Sequence, residues 1–178
     1  MNGDMTYPQE NYLKLICKSK IYNSLHNFIY SSLFISNFLE VFKKDIKKLI
    51  DNGDLLFNPF EIPKISSPYE RNIFEFDQNN FQEPFLYPRL DLGFGVKGYG
   101  ADNGGAGIHT DNWGRLISIL YYVNQPNQMI GGNHRMYKVR DKKISLSKVV
   151  KPEKGVLIAS LQTNYALHDV DPVKEING

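Results

Sequence analysis

"RLISILYYVN", residues 115–124, is one of four short β-like runs that follow Pro88, and together these runs decide the fold class. The others are "RLDLGFGVKGY" (89–99), "GNHRMYKV" (132–139) and "KGVLIASL" (154–161). Glycine turns separate them. Prolines at 59, 63, 68, 84 and 88 punctuate the chain just before, which suits loops and edge strands rather than helices. There is no repeat period and no strand–helix–strand alternation, so a parallel sheet is not expected.

Upstream the texture is helical. "NFLEVFKKDIKKLIDNG" places Phe38, Val41 or Phe42, Ile46, Leu49 and Ile50 on one face at helical spacing, with Lys43, Lys44, Lys47 and Lys48 opposite. Ser36 is read as an N-cap and Gly53 as the stop just past the last turn. The preceding "YNSLHNFIYSSLFI" reads as helical too, with His26 a surface or half-buried residue. Helices first and many short strands afterwards predict a mainly β, α+β protein: an antiparallel sandwich or barrel with N-terminal helices packed on one sheet. One domain over 1–178 is expected, with residues 8–53 as its helical support and the β core from about 85 onward.

Composition narrows the function classes. The 178 residues, 42% hydrophobic and 22% charged, are ordinary for a soluble globular chain. A net charge of +2 is too small to argue for nucleic acid, and the lysines after Phe42 read as a solvated helix face. Cys17 is the sole cysteine, so no internal disulfide or thiolate metal cage can form, and a small buried helix residue is expected there. The N-terminal "MNGDMTYPQE" lacks the basic and apolar regions of a signal peptide, and "FIYSSLFISNFL" is too short and interrupted to span a bilayer. A cytoplasmic protein with no membrane partner is expected.

"GIHTDNWGR", residues 107–115, carries the chemistry. In an extended chain residues two apart point to the same face, so His109 and Asp111 can hold one ion between them. A third ligand must come from elsewhere, and the chain has only four histidines. His134, in "GGNHRMY", has an uncertain facing and reads most simply as a surface strand residue. His168, in "NYALHDVDPV", follows an apolar strand at the rim of a sheet, where ligands are commonly presented. Two imidazoles and a carboxylate form the facial triad of non-haem Fe(II) oxygenases, whereas closed zinc sites use four ligands, usually with cysteine.

The stretch from Arg89 to Pro172 resembles the double-stranded β-helix, or jelly roll, of the Fe(II)/2-oxoglutarate-dependent dioxygenases, in the prolyl 4-hydroxylase-like branch. Four features carry the resemblance in order: "GYGADNGGAGIHTDN" running into H-x-D, "GRLISILYYVN" with its paired tyrosines, the Gly-Gly turn "GGNHRMY", and "VKPEKGVLIASLQTNYALHDVDPV". About half the chain is covered, and the gap from His109 to His168 is of the size the family uses.

The resemblance implies that His109, Asp111 and His168 ligate iron and that Tyr99 and Tyr122 line a 2-oxoglutarate pocket, a phenol offering a donor without adding charge. It implies O2 as co-reactant, ascorbate as reductant, and hydroxylation of an unactivated carbon with release of succinate and CO2. The substrate is a prolyl peptide, an amino acid, a sugar or another small molecule. Family members that halogenate have a small residue where this chain has Asp111. Trp113 stands where it can line a substrate entrance or pack. The family's arginine or lysine, nine or ten residues past the distal histidine, is not matched. "DVDPVKEING" ends in what reads as a turn, Lys174 comes too early, and Arg115 and Arg135 are poor substitutes by position. The expectation is a truncated core whose natural chain continues past Gly178 with an arginine or lysine. The rivals are a jelly-roll binding module for a sugar, peptide or small acid, and a cupin-type enzyme, which would carry a richer histidine cluster.

Overall fold

Four helices lead the chain in its computed structural model, which describes residues 9–62, 86, 107–111, 115–123 and 128–177. They are α1 (Gln9–Lys18), α2 (Lys20–Ile29), α3 (Ser32–Val41) and α4 (Lys43–Asp51). Tyr30 and Ser31 separate α2 from α3. The Ser31 hydroxyl donates to the Phe28 carbonyl at 2.6 Å and accepts from the Phe34 N–H at 3.2 Å, so one side chain closes α2 and caps α3. Ser36, read as an N-cap, instead lies inside α3. The expected single helix is broken at Phe42, whose ψ of 6° leaves helical geometry, although i→i−4 bonds run into it and out of it.

Burial explains which apolar residues the helices use. Leu39 and Ile46, two turns apart, are 2% and 0% exposed, each burial contributing roughly 1.5–3 kcal/mol. Val41 points away at 74% exposure while Phe42 is half-buried, which resolves that alternative. Cys17 corrects an expectation: it lies on α1 but is exposed, because the buried stripe passes through Ile16, its neighbour around the helix. The stop was read correctly. Gly53 takes φ +76°, its N–H bonds the Ile50 carbonyl, and the Asp54 N–H bonds that of Leu49, a Schellman closure. No helix of the described residues is long and apolar enough to cross a membrane.

The chain divides into two compact units, one carrying the helices and one carrying the strands. In the second, every strand pairing is antiparallel. β1 (Ile117–Tyr121) pairs β5 (Leu157–Leu161), β2 (Gln128–Ile130) pairs β7 (Glu175–Asn177), and β3 (His134–Arg140) lies between β4 (Lys143–Val150) and β6 (His168–Val170). Helices followed by antiparallel sheets is the expected class, and the described strands do not close a barrel. β3 turns into β4 through Asp141 and Lys142, both at positive φ, the backbone of a two-residue hairpin. The terminal "KEING" is not a turn: Glu175–Asn177 are strand, paired with a segment far away in the chain.

The Gly-Gly turn has a steric cause. A Cβ on Gly131 would sit 1.9 Å from the Pro172 carbonyl oxygen, so only glycine lets the segment after β6 pass this close. That segment is held by Gly132 N–H to Asp171 carbonyl (3.2 Å), Lys174 N–H to Ile130 carbonyl (2.8 Å), and the Asn133 side-chain amide to the Asp171 carboxylate (2.9 Å).

Candidate metal centre

His168 and His109 meet across an isolated antiparallel bridge. The His109 N–H donates to the His168 carbonyl at 3.0 Å and the His168 N–H to the His109 carbonyl at 2.9 Å. Directly opposed residues project to the same face, and the two rings stand 4.6 Å apart by centroid. Asp111 returns to that face two residues after His109, as the H-x-D spacing predicts. The ligand atoms of His109, Asp111 and His168 all lie within 4.8 Å of one another.

Each ring has its orientation fixed by a backbone acceptor. Nδ1 of His109 is 2.7 Å from the Gly107 carbonyl and Nδ1 of His168 is 2.9 Å from that of Ala166. A carbonyl only accepts, so each Nδ1 carries the proton and each Nε2 is the nitrogen offered to an ion. The His168 Nε2 lies 3.8 Å from Asp111 Oδ1. Asp111 is itself oriented, by the Ser118 hydroxyl donating to Oδ2 and by Arg115 at 3.1 Å from Oδ1. Burial raises its carboxyl pKa, but the Ser118 bond and the charges of Arg115 and the two histidines outweigh this and hold it below the usual carboxylate value. An ionised carboxylate and two oriented imidazoles suit a divalent transition metal. The donor set fits.

Of the two candidate third ligands, the structure brings His168 into the group and leaves His134 behind it. His134, 8% exposed, stacks on His168 with centroids 5.2 Å apart, and its Nδ1 is buried without a partner. Burial lowers its pKa and so favours the neutral ring. Tyr122 follows β1 with its backbone still paired to Val156, and period two puts it on the Ser118 face. Burial pushes its phenol up to about 12, a neutral donor at any physiological pH. Tyr99 and Trp113 lie outside the described residues.

The opposite face of β6 locks the register. Asp169, 1% exposed, takes two bonds of 2.7 Å from the Arg135 guanidinium and one of 3.0 Å from the Tyr137 hydroxyl. A slip of one residue would put His168 on this face and destroy the triad. Ser118, Asp169 and Arg135 in this supporting role were not readable from the sequence, since each acts through a partner outside its own strand. No family model, no curated protein and no solved structure matches the chain.

Proposed function

We propose that the protein is an Fe(II)- and 2-oxoglutarate-dependent dioxygenase that hydroxylates an unactivated carbon of a small-molecule or peptide substrate, its antiparallel sheets being part of a double-stranded β-helix. The observation that carries this reading is the His109–Asp111–His168 group, two imidazoles and one carboxylate converging with their orientation fixed from behind. His109, Asp111 and His168 would hold the ion as three protein ligands and would leave it accessible to co-reactants. The bound iron would supply oxygen activation coupled to decarboxylation of 2-oxoglutarate to succinate, with ascorbate keeping it reduced.

The chain's own residues hold and orient. The Gly107 and Ala166 carbonyls keep both Nε2 atoms aimed inward, and Ser118 and Arg115 keep the Asp111 carboxylate ionised and directed. Tyr122, and by resemblance Tyr99, would donate to the cosubstrate without adding charge. The test is succinate formation by the full chain with iron, ascorbate and 2-oxoglutarate, alongside metal content. Turnover is expected, abolished in Asp111→Ala. Unchanged metal content in His109→Ala and His168→Ala would sink the site, and tight metal binding without succinate would favour the binding-module alternative.

A further inference from the structure

Charge is unevenly spread along the chain. Between His134 and Val150 stand six cations, Arg135, Lys138, Arg140, Lys142, Lys143 and Lys148, against one acid, Asp141. The whole chain carries only +2, so the remainder is net acidic. These residues form the β3–β4 hairpin, and strand alternation sorts them by face. Met136 is the direct cross-strand partner of His168, which puts it on the face of the metal ligands. With period two, Lys138 and Arg140 follow on that face. Across the ladder Arg140 opposes Lys143, and Lys148 opposes Met136 because a β-bulge leaves Ser147 unpaired. Four cations thus share the face of His168, and strand geometry puts their backbones roughly 9 to 17 Å from that of the histidine.

The reverse face differs in kind. Arg135 and Tyr137 bond Asp169 there, and Tyr137 and Val139 pair with Leu146 and Ile144. On the cationic face nothing neutralises the row. Lys138, Arg140, Lys143 and Lys148 are exposed and make no ion pair among the described residues, whereas Arg135 and Arg115 are committed to Asp169 and Asp111. Arg140 and Lys143 stand directly opposite each other, an arrangement that destabilises a strand pair and that an anion lying over both relieves. In an extended polypeptide alternate side chains recur about every 6.8 Å, the interval between Lys138 and Arg140 on their strand. Nucleic acid fits this face less well. The row carries no aromatic ring on which a base could stack, since Tyr137 faces the other way.

We propose that this face of the β3–β4 hairpin binds an acidic, extended stretch of a polypeptide and leads it to the metal centre. The bound chain then carries glutamates or aspartates about three to five residues from the position that reaches His109, Asp111 and His168. That this polypeptide is the substrate rests on the function proposed above.

The test follows the fluorescence anisotropy of a fluorescein-labelled peptide of alternating glutamate and alanine, titrated with the full chain loaded with Zn(II). Binding is expected, weakened by salt, with none of the matching lysine–alanine peptide. Lys138→Gln, Arg140→Gln and Lys143→Gln together should weaken it by about tenfold or more, in a folded protein because all three are exposed. Removing as many charges from α4, in Lys44→Gln, Lys47→Gln and Lys48→Gln, should leave it unchanged. With Co(II) in place of Zn(II), the paramagnetic ion should shift the proton resonances of the bound peptide, which reads its approach to the centre. Equal affinity of the wild type for the two peptides, equal loss in the two triple variants, or resonances that ignore the metal overturns the proposal and leaves the dioxygenase reading standing. Tighter binding of a single-stranded oligonucleotide through the same three cations overturns it in favour of nucleic acid. Peptide binding through this row in a metal-loaded chain that forms no succinate supports the surface and overturns the function instead.

Discussion

Replacing Asp169 by asparagine tests whether the ion pair behind the triad holds the sheet in register. The carboxylate accepts two charge-assisted bonds of 2.7 Å from Arg135 and one of 3.0 Å from Tyr137 while almost wholly buried. Asparagine keeps one acceptor and turns a donor towards the remaining donors, leaving the guanidinium short of an acceptor. Hydrogen bonds to charged groups contribute about 1.5–3 kcal/mol each, and breaking a buried pair costs about 3–5 kcal/mol. The Arg135 side chain is 26% exposed, so water recovers part of its solvation and the expected loss falls to about 2–3 kcal/mol. In urea unfolding followed by circular dichroism, that lowers the midpoint by roughly 1 M at unchanged slope.

The pH dependence checks the cause. Burial raises the Asp169 pKa, but the bonds from Arg135 and Tyr137 outweigh it and the carboxyl is held below its ordinary value. A depressed folded pKa means the contribution is complete above the unfolded value of about 3.9 and is lost as pH falls through the lower folded value. The gap between wild type and Asp169→Asn should therefore be widest near neutrality and close in acid. A gap below about 0.5 kcal/mol at neutral pH, or one that widens on acidification, would refute the register-lock argument.

Three further outcomes are expected. Gly131→Ala should cost at least about 3 kcal/mol or prevent folding, since its Cβ would enter the Pro172 carbonyl at a positive φ; a thermal melt within a degree or two of wild type would contradict this. Ser118→Ala, which frees one Asp111 oxygen, should weaken Co(II) binding by about tenfold with the triad intact, read by competition with a chromophoric chelator. Tyr122→Phe should remove a step near 12 from an ultraviolet titration of the tyrosines. A raised folded pKa also means Tyr122 supports the fold below about pH 10 and ceases to as pH rises through 12, so the variant should lose less stability over that interval.

Signals carried by near neighbours were legible in the sequence. The helical stripe through Ile46, the closing Gly53, the period-two pairing of His109 with Asp111 and the order of helices before antiparallel strands all follow from local sterics and burial periodicity. The helix break at Phe42 and the exposure of Cys17 were not, because each depends on which neighbouring apolar residue tertiary packing selects. Strand register lies further still from local reach. His168 rather than His134 joins the triad because β6 bridges His109 on one edge and pairs β3 on the other. "KEING" is strand because β2 supplies its partner, and Lys148 opposes Met136 only because the unpaired Ser147 shifts the ladder. Side chains alternate with period two, so a single extra residue exchanges the two faces of a strand, and only the partner strand determines whether that residue is paired or bulged.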